Sequence, residues 1–256
     1  MRRVLGQLRR KDQVSLDEDE IHHLTRVLRL GEGAIFEAIV PPATRCRCRL
    51  TREGGTWVGT VLGQSDVTWE APLRICLVQA LIKKEKFEWV VQKAVELGVA
   101  EIQPALTHRT EVHLTDRRRD NKLARWTKIL REAVKQCGRT DLPQLHEPRP
   151  LQEILTERHD VLRLVLDEEG DRRLEDSLSS SGSVDSCALF IGPEGGWDEI
   201  DREAFRRCQI AAVRLGPRIL RTETAAIAAL SILQYRLGDL ADSPERFCVD
   251  YHPPTQ

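Results

Sequence analysis

The sequence predicts an α/β domain with a mainly parallel sheet, preceded by a small β-barrel or sheet. Up to about residue 70, short alternating segments are separated by turn signals such as Pro-Pro and Gly-Gly, a spacing typical of a small all-β structure. After Trp69, apolar strand-like runs alternate with helix-like segments, which is typical of a parallel sheet covered by helices. We therefore expect domains at 1–70 and 71–243 and a C-terminal tail at 244–256.

The elements of the first domain follow from its local patterns. The segment DEDEIHHLTRVLRL (17–30) carries carboxylates at its start and arginines later, as the helix dipole prefers, and predicts one helix. Three segments predict strands: AIFEAIV (34–40), RCRCRLT (45–51) and TWVGTVLG (56–63).

In the second domain, strands are predicted from apolar runs and helices from stripes at helical spacing. The loop SLSSSGSVDS (177–186) is polar and predicts a flexible surface segment. The predicted strands are 74–81, 101–106, 161–167, 187–192 and 210–216, and the main predicted helices are 85–99, 117–138 and 223–238.

Composition excludes several classes of protein. No run approaches the roughly 18 uninterrupted apolar residues of a membrane span, and the N-terminus is charged, so we expect a cytoplasmic protein that binds no membrane. The seven cysteines include no Cys-x-x-Cys pair, which favours reduced thiols over disulfides and predicts no metal site.

Charge is distributed unevenly, although the net charge is only -1. Residues 71–140 hold 15 Lys or Arg against 8 Asp or Glu, whereas the following segment is acidic. A basic middle indicates either a polyanionic partner, usually nucleic acid, or an ordinary solvated helical face.

Two glycine-containing loops follow the last two predicted strands. IGPEGG (191–196) ends one apolar run and LGPRILRTETA (215–225) follows another. In an open α/β sheet, ligands lie beyond the carboxyl ends of the strands, so both loops are expected to share one ligand. Gly192, Gly195, Gly196 and Gly216 allow close approach of the backbone.

The chemistry of these loops narrows the ligand. Glu194, at the centre of the first loop, would repel a phosphate, and the loop lacks the Gly-Lys-Ser/Thr of a Walker motif. The first strand-helix turn, LIKKEKFEW, has no glycine and so lacks a dinucleotide fingerprint. S-adenosylmethionine, which carries a positive sulfonium and no phosphate, satisfies these conditions.

The segment ETAAIAALSILQYRLG after the second loop has almost no polar face before Gln234. Such a helix is expected to be buried all round, either under the sheet or in a subunit interface. Thr222 or Thr224 is expected to cap its start, where Glu223 suits the positive end of the helix dipole.

These loops closely resemble the two signature loops of the RsmE family, the 16S ribosomal RNA (uracil-N(3))-methyltransferases of the SPOUT superfamily. Further segments resemble other family elements in the family order. They are HHLTRVLRLGEG (22–33), QKAVELGVAEIQP (92–104) and EAVKQCGRTDLP (132–143).

The resemblance implies a PUA-like β-barrel that binds RNA, followed by an α/β domain whose last strands and loops form a trefoil knot. It implies a homodimer that uses S-adenosylmethionine, without a metal, to methylate the ring nitrogen N(3) of a uridine in 16S ribosomal RNA, within the small ribosomal subunit. Two alternatives remain: another SPOUT methyltransferase, acting on a different RNA or a ribose hydroxyl, and a non-catalytic RNA-binding protein of ribosome assembly.

Residue roles carry over from the same resemblance. Arg221 is the first choice for stabilising charge on the uracil oxygens, unless it caps the loop instead, and Arg139 is the second. Glu223 and Glu194 are candidate proton acceptors, although either could only hold loop amides. Cofactor contacts are implied at Leu166, Ile191, Gly192, Glu194, Gly195, Leu215, Gly216, Leu220 and Ala225. RNA contacts are expected at Arg2, Arg3, His23, Arg29, Lys83, Lys86 and Arg109, with domain packing as an equal role for His23.

Overall fold

The structure, a computed structural model, describes residues 2–66, 69–110, 116–179, 184–242 and 250–253. The chain divides into two compact units. The predicted domain limits stay a prediction, and most of the predicted tail at 244–256 lies outside the described residues. Unit 1 comprises Met1–Glu70, Arg131–Leu142 and Ser243–Gln256, and unit 2 comprises Ala71–Leu130 and Pro143–Asp242.

Unit 1 is built on a six-stranded sheet. Its strands are β1 (Arg3–Leu5), β2 (Gln7–Arg10), β3 (Gln13–Ser15), β4 (Ile35–Val40), β5 (Thr44–Glu53) and β6 (Thr56–Ser65). They lie in the order β1-β4-β5-β6-β3-β2, with β1 parallel to β4 and the other neighbours antiparallel. The strands predicted at 34–40, 45–51 and 56–63 are confirmed as β4, β5 and β6.

A tight hairpin joins the two longest strands of unit 1. Gly54 and Gly55 have φ values of 58° and 86°, a left-handed conformation that glycine adopts at little cost. Alternate residues of β5, such as Cys46 and Cys48, are fully buried. They pack with Val4, Val14, Leu24, Phe36, Ala38, Val40, Leu50 and Val61 in the core of the unit.

The predicted helix at 17–30 changes type along its length. Helix α1 (Glu18–His22) starts after Asp17, whose carboxylate accepts a hydrogen bond from the Glu20 amide at 2.9 Å. The chain continues as a π-helical turn over His23–Val27. The prediction of a helix is therefore confirmed for its first part, and the second part is wound more widely.

The described part of the C-terminal tail belongs to unit 1. His252 forms a β-bridge with Gln64, and the two backbones exchange hydrogen bonds of 2.8 Å. The Tyr251 hydroxyl donates a hydrogen bond to Glu37. Residues 250–253 are therefore held against β6.

Unit 2 contains the predicted parallel sheet, with every pairing between its strands parallel. The strands lie in the order β10-β8-β7-β13-β11-β14-β12, with β9 beside β8. In chain order the elements are β7 (Arg74–Ala80), α2 (Lys84–Glu96), β8 (Glu101–Leu106), α3 (Asp116–Cys137), β9 (Gln144–Leu145), β10 (Arg149–Pro150), α4 (Leu151–Glu157), β11 (Leu162–Leu166), β12 (Arg172–Arg173), α5 (Leu174–Ser179), β13 (Ser186–Ile191), α6 (Glu199–Arg207), β14 (Ala211–Arg214) and α7 (Thr222–Arg236). Residues 131–137 of α3 belong to unit 1.

The central strands of unit 2 are mainly apolar because both faces of the sheet are covered. Cys76 and Val78 on β7 pack with Leu151 and Phe205 of helices α4 and α6. The intervening residues face the other side and are equally buried. On β13, Phe190 meets Phe205 edge-on, with ring centroids 5.4 Å apart.

The surroundings of helix α7 differ from the prediction. One face, including Ala226, Leu230 and Leu233, is buried, and the helix contacts α2 and β13. The opposite face remains accessible in the single chain, where Ile232 and Tyr235 are exposed. The expectation of burial all round is therefore wrong for the chain alone, because the sheet covers only one side of the helix.

The predicted surface loop at 177–186 is partly wrong. Helix α5 extends to Ser179, and both Ser177 and Leu178 are buried. Residues 180–183 lie outside the described residues. The start of this segment is helical because Leu174 and Leu178, one turn apart, are both buried.

Candidate functional site

A cleft of about 400 Å³ opens at the carboxyl ends of β11, β13 and β14 in unit 2. This is the edge where ligands bind in open parallel sheets. Every residue predicted to contact the cofactor lines this cleft, as do Lys86, Asp167 and Arg221. The predicted cofactor residues are Leu166, Ile191, Gly192, Glu194, Gly195, Leu215, Gly216, Leu220 and Ala225.

The loop after β13 is shaped by close packing between Gly192 and Trp197. A Cβ atom at Gly192 would lie 3.1 Å from Cε2 of Trp197, closer than packed carbons normally approach. The Trp197 indole is buried and donates a hydrogen bond of 2.7 Å to the Leu166 carbonyl. One side chain thus joins the loops after β11 and β13, and a methyl group at position 192 would crowd it.

The loop after β14 is joined to the first loop by a chain of hydrogen bonds. The Thr222 hydroxyl donates to the Gly192 carbonyl at 2.6 Å and accepts from Gln79 Nε2 at 3.1 Å. The predicted capping by Thr222 or Thr224 is wrong: Arg221 is the N-cap residue, and no side chain caps the helix there. Gln79, at the end of β7, was missed because nothing in the sequence connects it with residue 222.

Gly216 allows the second loop to turn sharply. Its φ of 74° is rarely adopted by other residues, and a Cβ atom there would meet no atom within 4 Å. Glycine is therefore required at this position by backbone conformation, and the space beside it is open. That space belongs to the cleft.

Two carboxylates share one ammonium group beside the cleft; Glu194 lines the cleft, whereas Glu223 is not among its lining residues. Lys86 Nζ lies 3.5 Å from Oε1 of Glu223 and 3.9 Å from Oε1 of Glu194. Glu194 also accepts a hydrogen bond of 3.3 Å from the Lys83 amide. Glu194 thus connects its loop to the start of α2. Within the described ranges, Oε2 of Glu223 is buried without a hydrogen-bond partner.

Asp167 holds the loop after β11. It accepts hydrogen bonds from Arg202 Nε at 2.8 Å and from the Glu169 amide at 3.0 Å. Burial alone would raise the pKa of Asp167, but these hydrogen bonds outweigh burial and lower it. Asp167 therefore stays ionised at neutral pH and connects this loop to α6. The sequence offered no signal for this pair, because Asp167 and Arg202 are far apart along the chain.

The cleft also presents free guanidinium groups. Arg214, Arg218 and Arg221 line it and are exposed. In the part of the chain that the structure describes, none of the three forms an ion pair with a carboxylate. Guanidinium groups in this state can donate paired hydrogen bonds to an anion or a carbonyl.

The predicted RNA residues of unit 2 surround the first loop. Arg109 Nη1 donates a hydrogen bond of 2.6 Å to the Gly195 carbonyl. The neighbouring His108 Nδ1 lies 2.5 Å from Asp198, the N-cap residue of α6. Lys83 is exposed at the start of α2, and Lys86 lines the cleft. Lys86 and Arg109 thus already contact cleft loops.

The residues of unit 1 that are predicted to contact RNA have different environments. Arg2 is exposed, and Arg29 is exposed with a positive φ of 53°. Arg3 donates a hydrogen bond of 2.9 Å to Glu37 and another of 2.9 Å to the Gln136 carbonyl. His23 is half-buried in the π-helical turn.

Arg139 is buried and contacts Glu70, with Nε 2.9 Å from Oε2. The other oxygen of Glu70 accepts hydrogen bonds from the amides of Thr140 and Asp141. Arg139 does not line the cleft in unit 2. The observed contacts are structural, and the predicted catalytic role stays a prediction.

The chain matches two family descriptions, which together define its class. Residues 69–234 match an RNA methyltransferase domain, and residues 16–58 match an RNA methyltransferase PUA domain. The first match covers the whole cleft described above. The sheet, the cleft and these matches define an RNA methyltransferase with a PUA domain.

Similar sequences identify the family more narrowly. The ribosomal RNA small subunit methyltransferase E of Bacillus subtilis is 32% identical over 229 residues, which cover 87% of this chain and 90% of that protein. The protein of the same name from Mycobacterium tuberculosis is 31% identical, over 84% of this chain and 83% of its own length. This chain belongs to the ribosomal RNA small subunit methyltransferase E family, as the sequence resemblance predicted.

Solved structures of similar proteins agree with this family assignment. A Legionella pneumophila protein described as a methyltransferase, in complex with S-adenosylmethionine, is 32% identical with a TM-score of 0.88 over 94% of this chain and 99% of that one. A ribosomal RNA small subunit methyltransferase E from Neisseria gonorrhoeae, bound to S-adenosylmethionine, is 29% identical with a TM-score of 0.82, over 94% of this chain and 99% of that one.

The residues that the structure describes lack two further features. No helix among them is both long and apolar enough to cross a membrane. No group of three or more His, Cys, Asp or Glu side chains among them is arranged to hold a metal ion.

Proposed function

We propose that this chain transfers a methyl group from S-adenosylmethionine to N(3) of a uridine in 16S ribosomal RNA. The observation that carries the proposal is the cleft between the loops after β13 and β14, in a chain of this family. The trefoil knot implied by the sequence resemblance is part of the proposal.

The cleft suits S-adenosylmethionine in shape and charge. The open space beside Gly216 lets the ligand reach the backbone, and Ile191, Leu215 and Leu220 add apolar surface for an adenine ring. Glu194, a carboxylate that lines the cleft, offers negative charge suited to a positive sulfonium.

When bound, S-adenosylmethionine supplies an electrophilic methyl group on a positively charged sulfur. Methylation breaks the bond between sulfur and methyl, forms a bond from N(3) to methyl and releases the N(3) proton. The chain therefore needs to position the uracil, accept that proton and stabilise negative charge on the ring oxygens.

We assign the stabilising role to Arg221, because its guanidinium is exposed at the cleft and has no ion pair with a described carboxylate. Glu223 stays the candidate proton acceptor, since its Oε1 lies 3.5 Å from Nζ of Lys86, a residue that lines the cleft. Glu194 already accepts the Lys83 amide, which favours a role in holding its loop. Arg139 stays the second candidate for charge stabilisation.

The proposed substrate is 16S ribosomal RNA within the small ribosomal subunit, methylated in the cytoplasm. The proposed assembly is a homodimer. The accessible face of α7 supports a dimer, because Ile232 and Tyr235 are apolar and exposed there. We expect sedimentation to show a dimer, and Tyr235→Glu to produce a monomer if this face forms the interface.

The decisive experiment supplies labelled S-adenosylmethionine with small ribosomal subunits, free 16S RNA and transfer RNA in parallel. Nucleoside mass spectrometry then identifies the product. We expect N(3)-methyluridine in the 16S samples alone. Methylation of transfer RNA or of a ribose hydroxyl would indicate a different RNA methyltransferase. If calorimetry detects no binding of S-adenosylmethionine, the proposal is wrong.

A further inference from the structure

We propose that a second pocket, in unit 1, binds one unpaired nucleotide of single-stranded RNA. This pocket, of about 500 Å³, lies between the helical segment 18–30 and the tip of the hairpin of β5 and β6. None of the predicted RNA contacts lines it. The inference rests on the proposed RNA substrate and specifies where unit 1 would hold a base.

The pocket offers planar groups on which a base can stack. Trp57 is half-buried and lies opposite Arg52 in the register of β5 and β6. The Arg52 guanidinium lies over the Trp57 ring, 4.4 Å from its centroid. Bases stack on both aromatic rings and guanidinium planes, and such stacking tolerates any base. The tight turn at Gly54 and Gly55 places this pair at the hairpin tip.

The charge of the pocket suits a phosphate. Arg26 and Arg52 are exposed, and neither pairs with a carboxylate in the described ranges. His22 also lines the pocket, and Glu18 is the acidic residue in its lining. A nucleotide combines a planar base with one negative charge, so it matches both features of the pocket.

The backbone beside the pocket is irregular. Arg26 lies in the π-helical turn His23–Val27, and Arg29 has a φ of 53°. The left-handed Arg29 ends the helical segment, whereas a π-helical turn is rare and recurs at functional sites. Arg26 lies on the pocket wall, across from the hairpin tip.

The occupant is expected to be unpaired, because bases in an RNA duplex are stacked on each other and expose only their edges. We would measure fluorescence anisotropy with a labelled single-stranded uridine oligomer and with a duplex of the same length. Wild-type protein is expected to bind the single strand more tightly. The proposal would be overturned if the pocket bound an acidic peptide and variants of the pocket residues left the Kd for RNA unchanged.

Trp57→Leu is expected to raise the Kd for the single strand about 5- to 150-fold, the range for losing one base stack. Trp57→Phe retains a ring and is expected to recover most of the affinity. Arg26→Ala is expected to reduce the slope of log Kd against log salt by about 0.7, as one phosphate contact is lost. Arg207→Ala, which removes the same charge from an exposed residue of α6, serves as the matched control.

Trp57 packs against the core of unit 1, so folding needs a separate check. Circular dichroism and thermal unfolding show whether Trp57→Leu is folded, and Arg26→Ala changes an exposed residue that should not affect folding. Unchanged Kd and salt slope in both variants would show that the pocket holds no nucleotide.

Methylation of 16S RNA by the wild-type protein separates this inference from the proposed function. If methylation occurs but these variants bind RNA normally, only the pocket assignment fails. If no RNA is methylated while single-strand binding depends on Trp57 and Arg26, the pocket assignment holds and the proposed function fails.

Discussion

The two ends of the parallel sheet in unit 2 use charged residues in opposite ways. At the amino end, Glu101 begins β8 and lies 3.0 Å from His146 Nε2 and 2.7 Å from Arg158 Nη1. Arg158 in turn pairs with Asp160 at 2.8 Å. Each of these four side chains has an oppositely charged or hydrogen-bonded partner beside it, so the cluster serves the fold.

At the carboxyl end the guanidinium groups are left available. Arg214, Arg218 and Arg221 line the cleft without an ion-pair partner among the described residues. The surrounding loops are held by Trp197 and Thr222, which bond to backbone carbonyls, and by the pair of Asp167 with Arg202. The difference teaches that charge by itself does not mark a functional residue in this chain. A charged group is a candidate for function where the fold leaves it unpaired.

The largest effect that this comparison predicts is a loss of turnover when Arg221 is replaced. Replacing it with alanine should lower kcat about 10²- to 10³-fold, because a donor to charge that develops during reaction is lost. The Kd for S-adenosylmethionine, measured by calorimetry, should change little. Arg207→Ala on α6 is the matched control, and it should retain turnover. Normal turnover in Arg221→Ala would remove this residue from the catalytic assignment.

Arg139 tests the opposite case, a guanidinium that is already paired. Arg139→Ala should lower the free energy of unfolding by about 3 kcal/mol, because Glu70 loses its buried partner. Urea denaturation measures this loss. The double variant that also carries Glu70→Gln should lose less unfolding free energy than the sum of the two single losses, because each single change already removes the same Arg139–Glu70 interaction. Normal stability with a loss of turnover would support catalysis by Arg139 instead.

The glycines of the cleft test whether its shape depends on packing. Gly192→Ala should displace Trp197, cost about 1–3 kcal/mol of unfolding free energy and weaken the binding of S-adenosylmethionine. Gly31→Ala is the matched control, because its Cβ would meet no atom within 4 Å and Gly31 does not line the cleft. Equal behaviour of the two variants in denaturation and calorimetry would contradict this account of the loop.

The smallest effect concerns the amino end of the sheet. The hydrogen bond with His146 lowers the pKa of Glu101 from 4.5 to about 2, and Arg158 adds to this against the opposing effect of burial. A depressed pKa in the folded state means that the stabilisation is present above pH 4.5 and is lost as the pH falls towards 2. Allowing for partial exposure, the loss should be about 1–2 kcal/mol.

Urea denaturation across this pH range provides the measurement. Glu101→Gln should be less stable than the wild type at neutral pH and should show a shallower decline below pH 4.5. A parallel decline in both proteins would mean that other carboxylates control the acid sensitivity of the fold.

The cleft could be predicted because its signals are local. Gly192 and Gly216 each follow an apolar run directly, and both runs are strands that end at the same edge of the sheet. The bonds from Gln79 to Thr222 and from Arg202 to Asp167 could not be predicted, since the partners are distant in sequence. The partial exposure of α7 was missed for the same reason, because periodicity shows that a helix is apolar and not what covers it.

The sequence by itself determined the alternation of strands and helices, the family and the positions of both cleft loops. These follow from apolar periodicity and from glycine, whose conformational freedom is a property of the single residue. Only the tertiary structure decided that Arg139 is paired, whereas Arg221 has no ion-pair partner among the described residues. The physical reason is that pairing depends on which groups folding brings within hydrogen-bond distance, and two arginines in similar sequence contexts can therefore have different environments.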